Sequence, residues 1–379
     1  MPEIVLENLV KEYGKCRAAD GLSLTVNEGE YLCILGPTGS GKTTCLRMIC
    51  GLTHPDSGRI LFNGKDVEGM PVSGRKATML SQVYSLFPPK TVYENVMFAP
   101  EIKEWPEDDA KQIVKSMIKM VHMENKAHSY PHELSGGQQQ RTALARALAS
   151  DSEILLLDEP LRALDARLRL ELRKELKSLV KEMGLTSIHV THDQDEALEM
   201  ADRIAIIRKG RIVQVGTPKE VFQDPKTPFV ANFVGRSNIF VGKVTESDGT
   251  DSEIEISIKE KGPIRIRARK TEFPIGAEAV VAVKIGSTRM DKLKESTEDE
   301  PDPEQPKGYF EGIVERILYE GATITIEAAT DAGIVSAKLP NRRFDDYKVG
   351  DKVAVRWSPE MAVVFDVPSG GLEEELRLD

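Results

Sequence analysis

Cysteine is scarce in this chain of 379 residues, and its four cysteines form no paired pattern. There is no CxxC pair, and no histidine lies at metal-ligand spacing from Cys16, Cys33, Cys45 or Cys50. Structural disulfides and zinc sites usually depend on such spacings. We therefore expect the four cysteines to be packing residues in a reducing compartment.

Long apolar runs and an excess of positive charge are also lacking. No run of about 18 apolar residues occurs, and the first residues have no basic segment ahead of an apolar one. The formal net charge of −10 disfavours binding of duplex DNA by the whole surface, although a local basic groove would escape this test. These absences predict a cytosolic protein that reaches a membrane only through a partner.

A glycine-rich segment is the feature around which the rest of the chain is arranged. It follows an apolar run at residues 31–35 and precedes a helix-compatible run at residues 44–50. Its residues are Gly36, Pro37, Thr38, Gly39, Ser40, Gly41, Lys42 and Thr43. A strand, a turn of the form GxxxxGK[ST] and a helix start are typical of a phosphate-binding loop. The alternative, a glycine-rich turn that binds nothing, is disfavoured because both the strand and the helix are present.

The chemistry of this loop predicts a nucleotide site. Glycines let successive N–H groups point at one anion, and the helix N-terminus adds partial positive charge. Lys42 is expected to reach the β- and γ-phosphates, and the hydroxyl of Thr43 is placed to ligate Mg²⁺. Thr44, at the start of the helix, is included among the predicted nucleotide-binding residues.

Polar side chains end three further predicted strands. Gln82 follows a strand at residues 77–81. Asp158 and Glu159 end an apolar strand that begins at residue 154. His192 follows a strand at residues 186–191. Asp158 fits a Mg²⁺ position and Glu159 the group that polarises the attacking water. Gln82 is placed to meet the metal or that water, and His192 to contact the γ-phosphate. The alternatives without a function are that the two carboxylates lie in a solvated loop and that His192 is a capping residue.

Two other positions are candidates for nucleotide contacts. Ser135, Gly137 and Gln138 open a helix predicted over residues 139–149, where Ser135 is either an ordinary N-cap or part of a second anion site. Tyr13 lies in a turn between predicted strands at residues 4–9 and 22–26. Its ring either stacks on adenine or packs on its neighbours, and residue type alone does not decide between the two.

The pattern along the chain predicts two domains, at residues 1–235 and 236–379. The first is an α/β P-loop NTPase core with an antiparallel β subdomain and a helical insertion at about residues 91–150, broken at Pro100 and at residues 105–106. The second is all-β, since short alternating strands follow one another from about residue 240. Two similar segments, at residues 281–284 and 353–356, hint at two copies of one unit. Residues 295–306 are expected to be a mobile acidic loop, and residues 370–379 an acidic tail.

The order of these motifs closely resembles that of the ATP-binding subunit of ABC transporters. Gln82, the Leu134-Ser-Gly-Gly-Gln138 segment, the Asp158-Glu159 pair and His192 follow the phosphate loop in that family's order. The all-β tail resembles the paired OB-like regulatory barrels of importer ATPases of the maltose, polyamine, ferric-iron and sulfate type. Resemblance therefore covers essentially the whole chain.

The resemblance implies a role for each candidate residue. Tyr13 would stack on adenine, and the phosphate loop would hold phosphate and metal. Gln82 would link the metal site to the membrane subunit, Asp158 would bind Mg²⁺, Glu159 would be the base and His192 the γ-phosphate sensor. The remaining three, Ser135, Gly137 and Gln138, would bind the ATP held by the other subunit of a head-to-tail dimer.

The resemblance also implies partners. They are a second copy of the chain, two integral-membrane permease subunits at the cytoplasmic face of the membrane and, indirectly, an external solute-binding protein, with no nucleic acid. The alternative of a soluble ABC ATPase acting on nucleic acid or ribosomes is disfavoured, because such a protein would normally need two fused ATP domains or a long coiled coil, and the sequence shows neither. An exporter ATPase is disfavoured by the importer-like tail.

Three positions depart from the family pattern. Arg162 stands where serine usually precedes Ala-Leu-Asp, at the expected dimer seam, where it would either pair with a carboxylate across the seam or weaken closure. Pro89 and Lys90 replace a histidine and an aliphatic residue in the region expected to meet the permease. Residues 284–286 (Lys-Ile-Gly) replace the Arg-Pro-Glu of the first barrel, whereas residues 357–360 (Trp-Ser-Pro-Glu) resemble the family.

Overall fold

The computed structural model describes residues 1–248, 251–258, 262–293 and 310–377. These residues divide into two units, the first spanning Met1–Lys219 and the second beginning at Glu220. The first unit contains β1 (Ile4–Tyr13), β2 (Cys16–Val26), β3 (Tyr31–Leu35), α1 (Lys42–Cys50), β4 (Ser57–Phe62), β5 (Lys65–Asp66), β6 (Ala77–Leu80), α2 (Val92–Ile102), α3 (Glu107–Met120), α4 (Gly136–Leu148), β7 (Ile154–Asp158), α5 (Ala166–Glu182), β8 (Thr186–Thr191), α6 (Gln194–Met200), β9 (Arg203–Arg208) and β10 (Arg211–Gly216). Helix α7 (Pro218–Gln223) spans the division.

A six-stranded sheet in the order β10-β9-β3-β8-β7-β6 forms the centre of the first unit. All of its pairings are parallel except that of β10 with β9. Every residue of β3, β7 and β8 is buried, as expected for parallel strands covered on both faces. The carboxyl ends of parallel strands lie at one edge of the sheet, which is where such folds bind ligands. The phosphate loop and the polar strand ends therefore meet at this edge.

A second, antiparallel sheet, in the order β2-β1-β4-β5, covers helix α1. Ile4, Leu6 and Leu9 of β1 point into a shared core with Leu46 and Ile49 of α1. Each side chain of this size contributes roughly 1.5–3 kcal/mol when fully buried.

The cysteines are all free, as predicted. Cys33, Cys45 and Cys50 are buried, and burial raises the pKa of Cys45 to about 12. Cys16 is exposed at the start of β2, so its prediction as a packing residue is wrong.

Helices α2, α3 and α4 pack on one another, as the predicted helical insertion requires. The predicted break at Pro100 is wrong, because α2 continues through that residue to Ile102. Proline lacks one N–H donor, but Pro100 lies in the last turn of α2 and is buried, so packing offsets the lost hydrogen bond. The predicted break at residues 105–106 is confirmed, since α2 ends at Ile102 and α3 begins at Glu107.

The second unit is mostly β-structure. Its elements are α8 (Pro228–Phe233), β11 (Ser237–Asp248), β12 (Asp251–Ile258), β13 (Gly262–Arg269), β14 (Glu278–Lys284), β15 (Arg289–Lys292), β16 (Phe310–Tyr319), β17 (Thr323–Thr330), β18 (Gly333–Pro340), β19 (Lys352–Arg356), β20 (Ala362–Asp366) and α9 (Leu372–Leu376). The predicted acidic loop at residues 295–306 lies outside the described residues. Part of the predicted acidic tail forms α9.

The two sheets of the second unit have the same strand order. One is β13-β12-β11-β14-β20 and the other β18-β17-β16-β19-β15. In each sheet the first long strand has a bulge against its hairpin partner, after Val244 in β11 and after Val314 in β16. The similar segments at 281–284 and 353–356 occupy matching fourth strands, β14 and β19. Each copy gives its fifth strand to the sheet of the other, since β15 pairs with β19 and β20 with β14.

Among the described residues, no helix combines the length and the apolar composition needed to cross a membrane.

Candidate nucleotide-binding site

The phosphate loop turns tightly between β3 and α1. Gly39 and Gly41 have φ angles of 81° and 102°, in the left-handed region that favours glycine. A Cβ on Gly41 would lie 2.0 Å from the carbonyl oxygen of Ala18, and one on Gly36 would lie 2.3 Å from that of Ile207. Only glycine fits these two positions, because a side chain would displace neighbouring backbone.

Lys42 is buried at the start of α1 and folds back over the loop. Its Nζ donates hydrogen bonds to the carbonyl oxygens of Gly36 at 2.8 Å and Pro37 at 2.7 Å. Burial lowers the pKa of Lys42, against the opposing effect of the charges on Glu159 and Asp158. The ammonium group of Lys42 is thus held by carbonyl groups of the phosphate loop.

Thr43 and Asp158 form the second polar pair. The Thr43 hydroxyl lies 2.9 Å from one carboxylate oxygen of Asp158 and 3.2 Å from the other. Burial raises the pKa of Asp158, and the hydrogen bond from Thr43 opposes that shift. Adjacent hydroxyl and carboxylate oxygens are the ligands that Mg²⁺ prefers. The Ser40 hydroxyl is buried without a hydrogen-bond partner among the described residues, which fits a loop made to surround an anion.

Glu159 follows Asp158 and is held between two cationic or polar side chains. Its Oε1 lies 2.9 Å from Nδ1 of His192, and its Oε2 accepts a hydrogen bond from Arg162 at 2.7 Å. The backbone of Glu159 has a φ angle of 50° and its N–H donates to the carbonyl oxygen of Val190 at 2.9 Å. The structure therefore brings the predicted base and the predicted γ-phosphate sensor into direct contact.

A cavity of about 290 Å³ opens at this edge of the sheet. Its lining residues are Ala18, Thr38, Gly39, Gly41, Lys42, Thr43, Thr44, Gln82, Glu159, Arg162 and His192. Most of the predicted site residues thus surround one space. Ala18 and Arg162 line it as well, although sequence reasoning assigned neither of them to the nucleotide.

The start of α4 is not part of this lining. Ser135 and Gln138 cap the helix reciprocally: the Ser135 hydroxyl accepts from the Gln138 N–H at 3.4 Å, and the Gln138 side chain accepts from the Ser135 N–H at 2.9 Å. A Cβ on Gly137 would lie 3.1 Å from the carbonyl oxygen of Ala163. The N-cap role of Ser135 is therefore present in the chain, and an additional role in binding a second nucleotide stays a prediction.

Tyr13 lies at the end of β1 with about half of its side-chain surface exposed. Nζ of Lys11 is 5.6 Å from the centroid of its ring. Contact with adenine also stays a prediction.

Gln140 is a structural residue of the site that sequence reasoning missed. It is buried on α4, where its Nε2 donates to the carbonyl oxygen of Glu159 at 3.1 Å and its Oε1 accepts from the N–H of Ala163 at 3.0 Å. One amide thus ties both ends of the turn that carries Glu159 and Arg162. Residue type alone could not show which of the three consecutive glutamines points inward. The helical period of α4 was the signal that could have identified residue 140.

Comparison with known proteins places these features in a family. The family model described as "ABC transporter" matches residues 19–162, and the model described as "TOBE domain" matches residues 288–365. The chain belongs to the ATP-binding subunits of ABC transporters, and within them to the importer type with a C-terminal OB-like domain. It is accordingly an ATPase subunit, and the α/β core and all-β tail predicted from the sequence are confirmed.

Among the relatives are three proteins named spermidine/putrescine import ATP-binding protein PotA. The protein from Nitrosospira multiformis is 37% identical over 97% of this chain and 100% of its own length. That from Vibrio cholerae is 39% identical over 96% and 95%, and that from Marinobacter nauticus is 38% identical over 99% and 98%.

Solved structures match the first part of the chain. The dimeric post-hydrolysis state of the ATP-binding cassette MJ0796 bound to ADP and Pi is 31% identical, with a TM-score of 0.53 over 57% of this chain and 98% of that one. A second dimeric structure of MJ0796, described as a bacterial ABC transporter cassette, is 32% identical with the same coverage and TM-score.

Proposed function

We propose that this chain hydrolyses MgATP as a head-to-tail homodimer at the cytoplasmic face of a membrane, bound to two permease subunits, and so drives import of a small solute. Polyamines are the first solutes to test, because the similar proteins named above carry spermidine and putrescine in their names. The permease and the external binding protein would contact the solute, and this chain would not.

The observation that carries this proposal is the meeting of Lys42, Thr43, Asp158, Glu159 and His192 at one edge of the sheet. We assign the phosphates of ATP to the phosphate loop, where Lys42 and the N-terminus of α1 supply positive charge. We assign Mg²⁺ to Thr43 and Asp158, and Gln82 lines the same cavity as Thr43. Mg²⁺, when bound, neutralises the charge that develops on the β- and γ-phosphate oxygens.

Glu159 is assigned as the general base. A carboxylate at this position accepts a proton from the attacking water, and His192 holds one of its oxygens in place through the 2.9 Å contact. The N-terminus of α4 does not line the cavity of its own chain, which supports a site completed by a second copy. A two-fold dimer supplies two such completed sites. Solved relatives of the first unit are described as dimeric.

The test has two parts. The purified chain should hydrolyse ATP only with Mg²⁺, and the Lys42→Ala variant should lose both ATP binding and hydrolysis. The chain should also co-purify from membranes with a permease whose vesicles take up spermidine or putrescine when ATP is supplied. An active ATPase that associates with no permease would contradict the importer assignment, and a chain without ATPase activity would contradict the catalytic one.

A further inference from the structure

Arg162 contacts the proposed base within the same chain. Its guanidinium NH1 donates to Oε2 of Glu159 at 2.7 Å, and its own backbone N–H donates to the carbonyl oxygen of Glu159 at 3.4 Å. The ion pair is thus built on one turn, in which the two residues are three positions apart. From the sequence, Arg162 was expected either to form an ion pair across the dimer interface or to weaken that interface. The structure shows a third arrangement, an ion pair within the chain.

The side chain of Glu159 is largely buried and is surrounded by charged groups. Only 14% of its side-chain surface is exposed, and Asp158 beside it carries a charge of the same sign. Burying a carboxylate is costly unless a cation or a hydrogen-bond donor pairs with it. The charged or titratable groups that face it are Arg162, His192, Lys42 and Asp158. Lys42 is already bonded to two loop carbonyl groups, which leaves Arg162 as the permanent cation in direct contact.

The two contacts of Glu159 also fix its orientation. His192, after β8, contacts Oε1, while Arg162 donates to Oε2. Gln140 anchors the turn itself by bonding to the backbone of Glu159 and of Ala163. A carboxylate held at both oxygens on an anchored turn has little freedom to rotate away from the reacting water.

We propose that Arg162 is a positioning residue for Glu159, whose carboxylate it holds in one orientation for catalysis. The inference rests on the proposed function, since it takes Glu159 as the base. A serine, the residue expected here from the family pattern, carries no charge and could not hold the carboxylate in this way. In this chain Arg162 therefore places a permanent cation beside the proposed base.

The test compares three variants of the full-length chain. Arg162→Met removes the charge and keeps much of the length, Arg162→Lys keeps the charge, and Arg167→Met removes an arginine whose side chain is 90% exposed on the neighbouring helix. Misplacement of a catalytic group by about 1 Å can cost 10²-fold in rate. We expect kcat of Arg162→Met to fall at least about tenfold while KM for ATP stays within about twofold of wild type.

Arg162→Lys should recover most of this loss, because the contact uses a single nitrogen that an ammonium can replace. Arg167→Met should keep the wild-type kcat. If kcat of Arg162→Met equals or exceeds that of wild type, or if Arg162→Lys is no better than Arg162→Met, the inference is overturned. A wild-type chain without ATPase activity would instead contradict the proposed function.

A second measurement does not depend on ATP. Thermal unfolding of Glu159→Gln, Arg162→Met and the double variant, without nucleotide, forms a double-mutant cycle. The loss of Tm in the double variant should be smaller than the sum of the two single losses, because either single change already breaks the ion pair. Additive losses would show that the two side chains do not interact, and would overturn the inference on structural grounds.

Discussion

At the residue scale, two neighbouring carboxylates differ because their partners differ. Asp158 is buried against the hydroxyl of Thr43, whereas Glu159 lies between His192 and Arg162. The first arrangement suits a metal ligand and the second suits a base.

Replacing Glu159 by glutamine tests this division. The amide is similar in shape but cannot accept the proton, so hydrolysis should fall by about 10²–10⁴ while MgATP still binds. ATP-bound dimers should then accumulate, because the closed dimer can no longer hydrolyse its ATP. Steady-state hydrolysis, ATP binding and gel filtration with ATP would be measured. Glu171→Gln, an exposed change on α5, is the control, and turnover of Glu159→Gln within about threefold of wild type would contradict the assignment.

Glu196 is a buried carboxyl group that contacts the end of β8, next to His192 in the chain. The Thr191 hydroxyl donates to Oε2 of Glu196 at 2.7 Å, and Nε2 of His189 lies 3.5 Å from the same oxygen. Burial by itself would raise the pKa of Glu196, but the nearby His189, the hydrogen bond from Thr191 and the charge of Arg173 together outweigh it, and the pKa is lowered. This network fixes the end of β8 from which His192 projects.

The lowered pKa of Glu196 has a predictable effect on stability. A carboxyl group with a lowered pKa stabilises the folded state above its ordinary pKa, and this stabilisation is lost as pH falls through the folded-state pKa. Glu196→Gln should therefore lower the free energy of unfolding at pH 7 by roughly 1–3 kcal/mol. It should also reduce the loss of stability on acidification. Urea unfolding at several acidic pH values, with Glu171→Gln as control, would measure both, and an unchanged pH dependence would contradict the prediction.

At the element scale, α2 and α4 begin with the same arrangement. Thr91 and Glu94 cap α2 reciprocally, as Ser135 and Gln138 cap α4. Loss of either cap costs about 1 kcal/mol of stability. The two helix starts differ in their proposed use, since only the start of α4 is assigned to the ATP of the partner.

These two helices allow a matched test of the proposed nucleotide site that is shared between two chains. Ser135→Arg should leave ATP binding by the isolated monomer unchanged and abolish hydrolysis, whereas Thr91→Arg removes a comparable cap and should keep hydrolysis. Mixing Ser135→Arg with Lys42→Ala chains sharpens the test. One site of the mixed dimer then carries both defects and the other carries neither, so some activity should return. Weakened ATP binding by monomeric Ser135→Arg alone would rule out the two-chain site.

The C-terminal sheets illustrate how elements depend on one another. Each contains one strand from the other copy, because β20 pairs with β14 and β15 with β19. Neither copy completes its own sheet, so the two should fold as one cooperative unit.

At the scale of the whole molecule, the proposed catalytic residues all lie before residue 220. The C-terminal unit has its own core, in which residues from both of its sheets are buried together. Helix α8 packs on β11 and β14 of that unit, so a cut near residue 235, the predicted domain boundary, would leave α8 without its partner strands.

A chain that ends at Lys219 should keep ATP binding and Mg²⁺-dependent hydrolysis but associate less in the absence of nucleotide. The reason is that a separate domain with no catalytic residue can hold two copies together between cycles. Sedimentation of full-length and shortened chains without ATP would measure this, with hydrolysis as the control for correct folding. Identical association of the two chains would refute the tethering role and leave regulation as the alternative.

Much of the site could be predicted from the sequence because its chemistry is local. The phosphate loop needs glycines at fixed positions between a strand and a helix, and polar residues that end parallel strands meet at one edge of the sheet. Lys42, Thr43, Glu159 and His192 could therefore be named as candidate site residues before their contacts were known. The break at Pro100 was predicted wrongly because tertiary packing outweighed the local preference of proline.

The sequence by itself determined the phosphate loop, the order of its polar strand ends and the change to an all-β tail, because each depends on spacing along the chain. Only the tertiary structure decided that Arg162 turns toward Glu159 of its own chain, since side-chain direction depends on the turn that Gln140 anchors from a distant helix. It also decided the exchange of β15 and β20, because strands of similar composition can pair in several ways and the common core of the two sheets selects one.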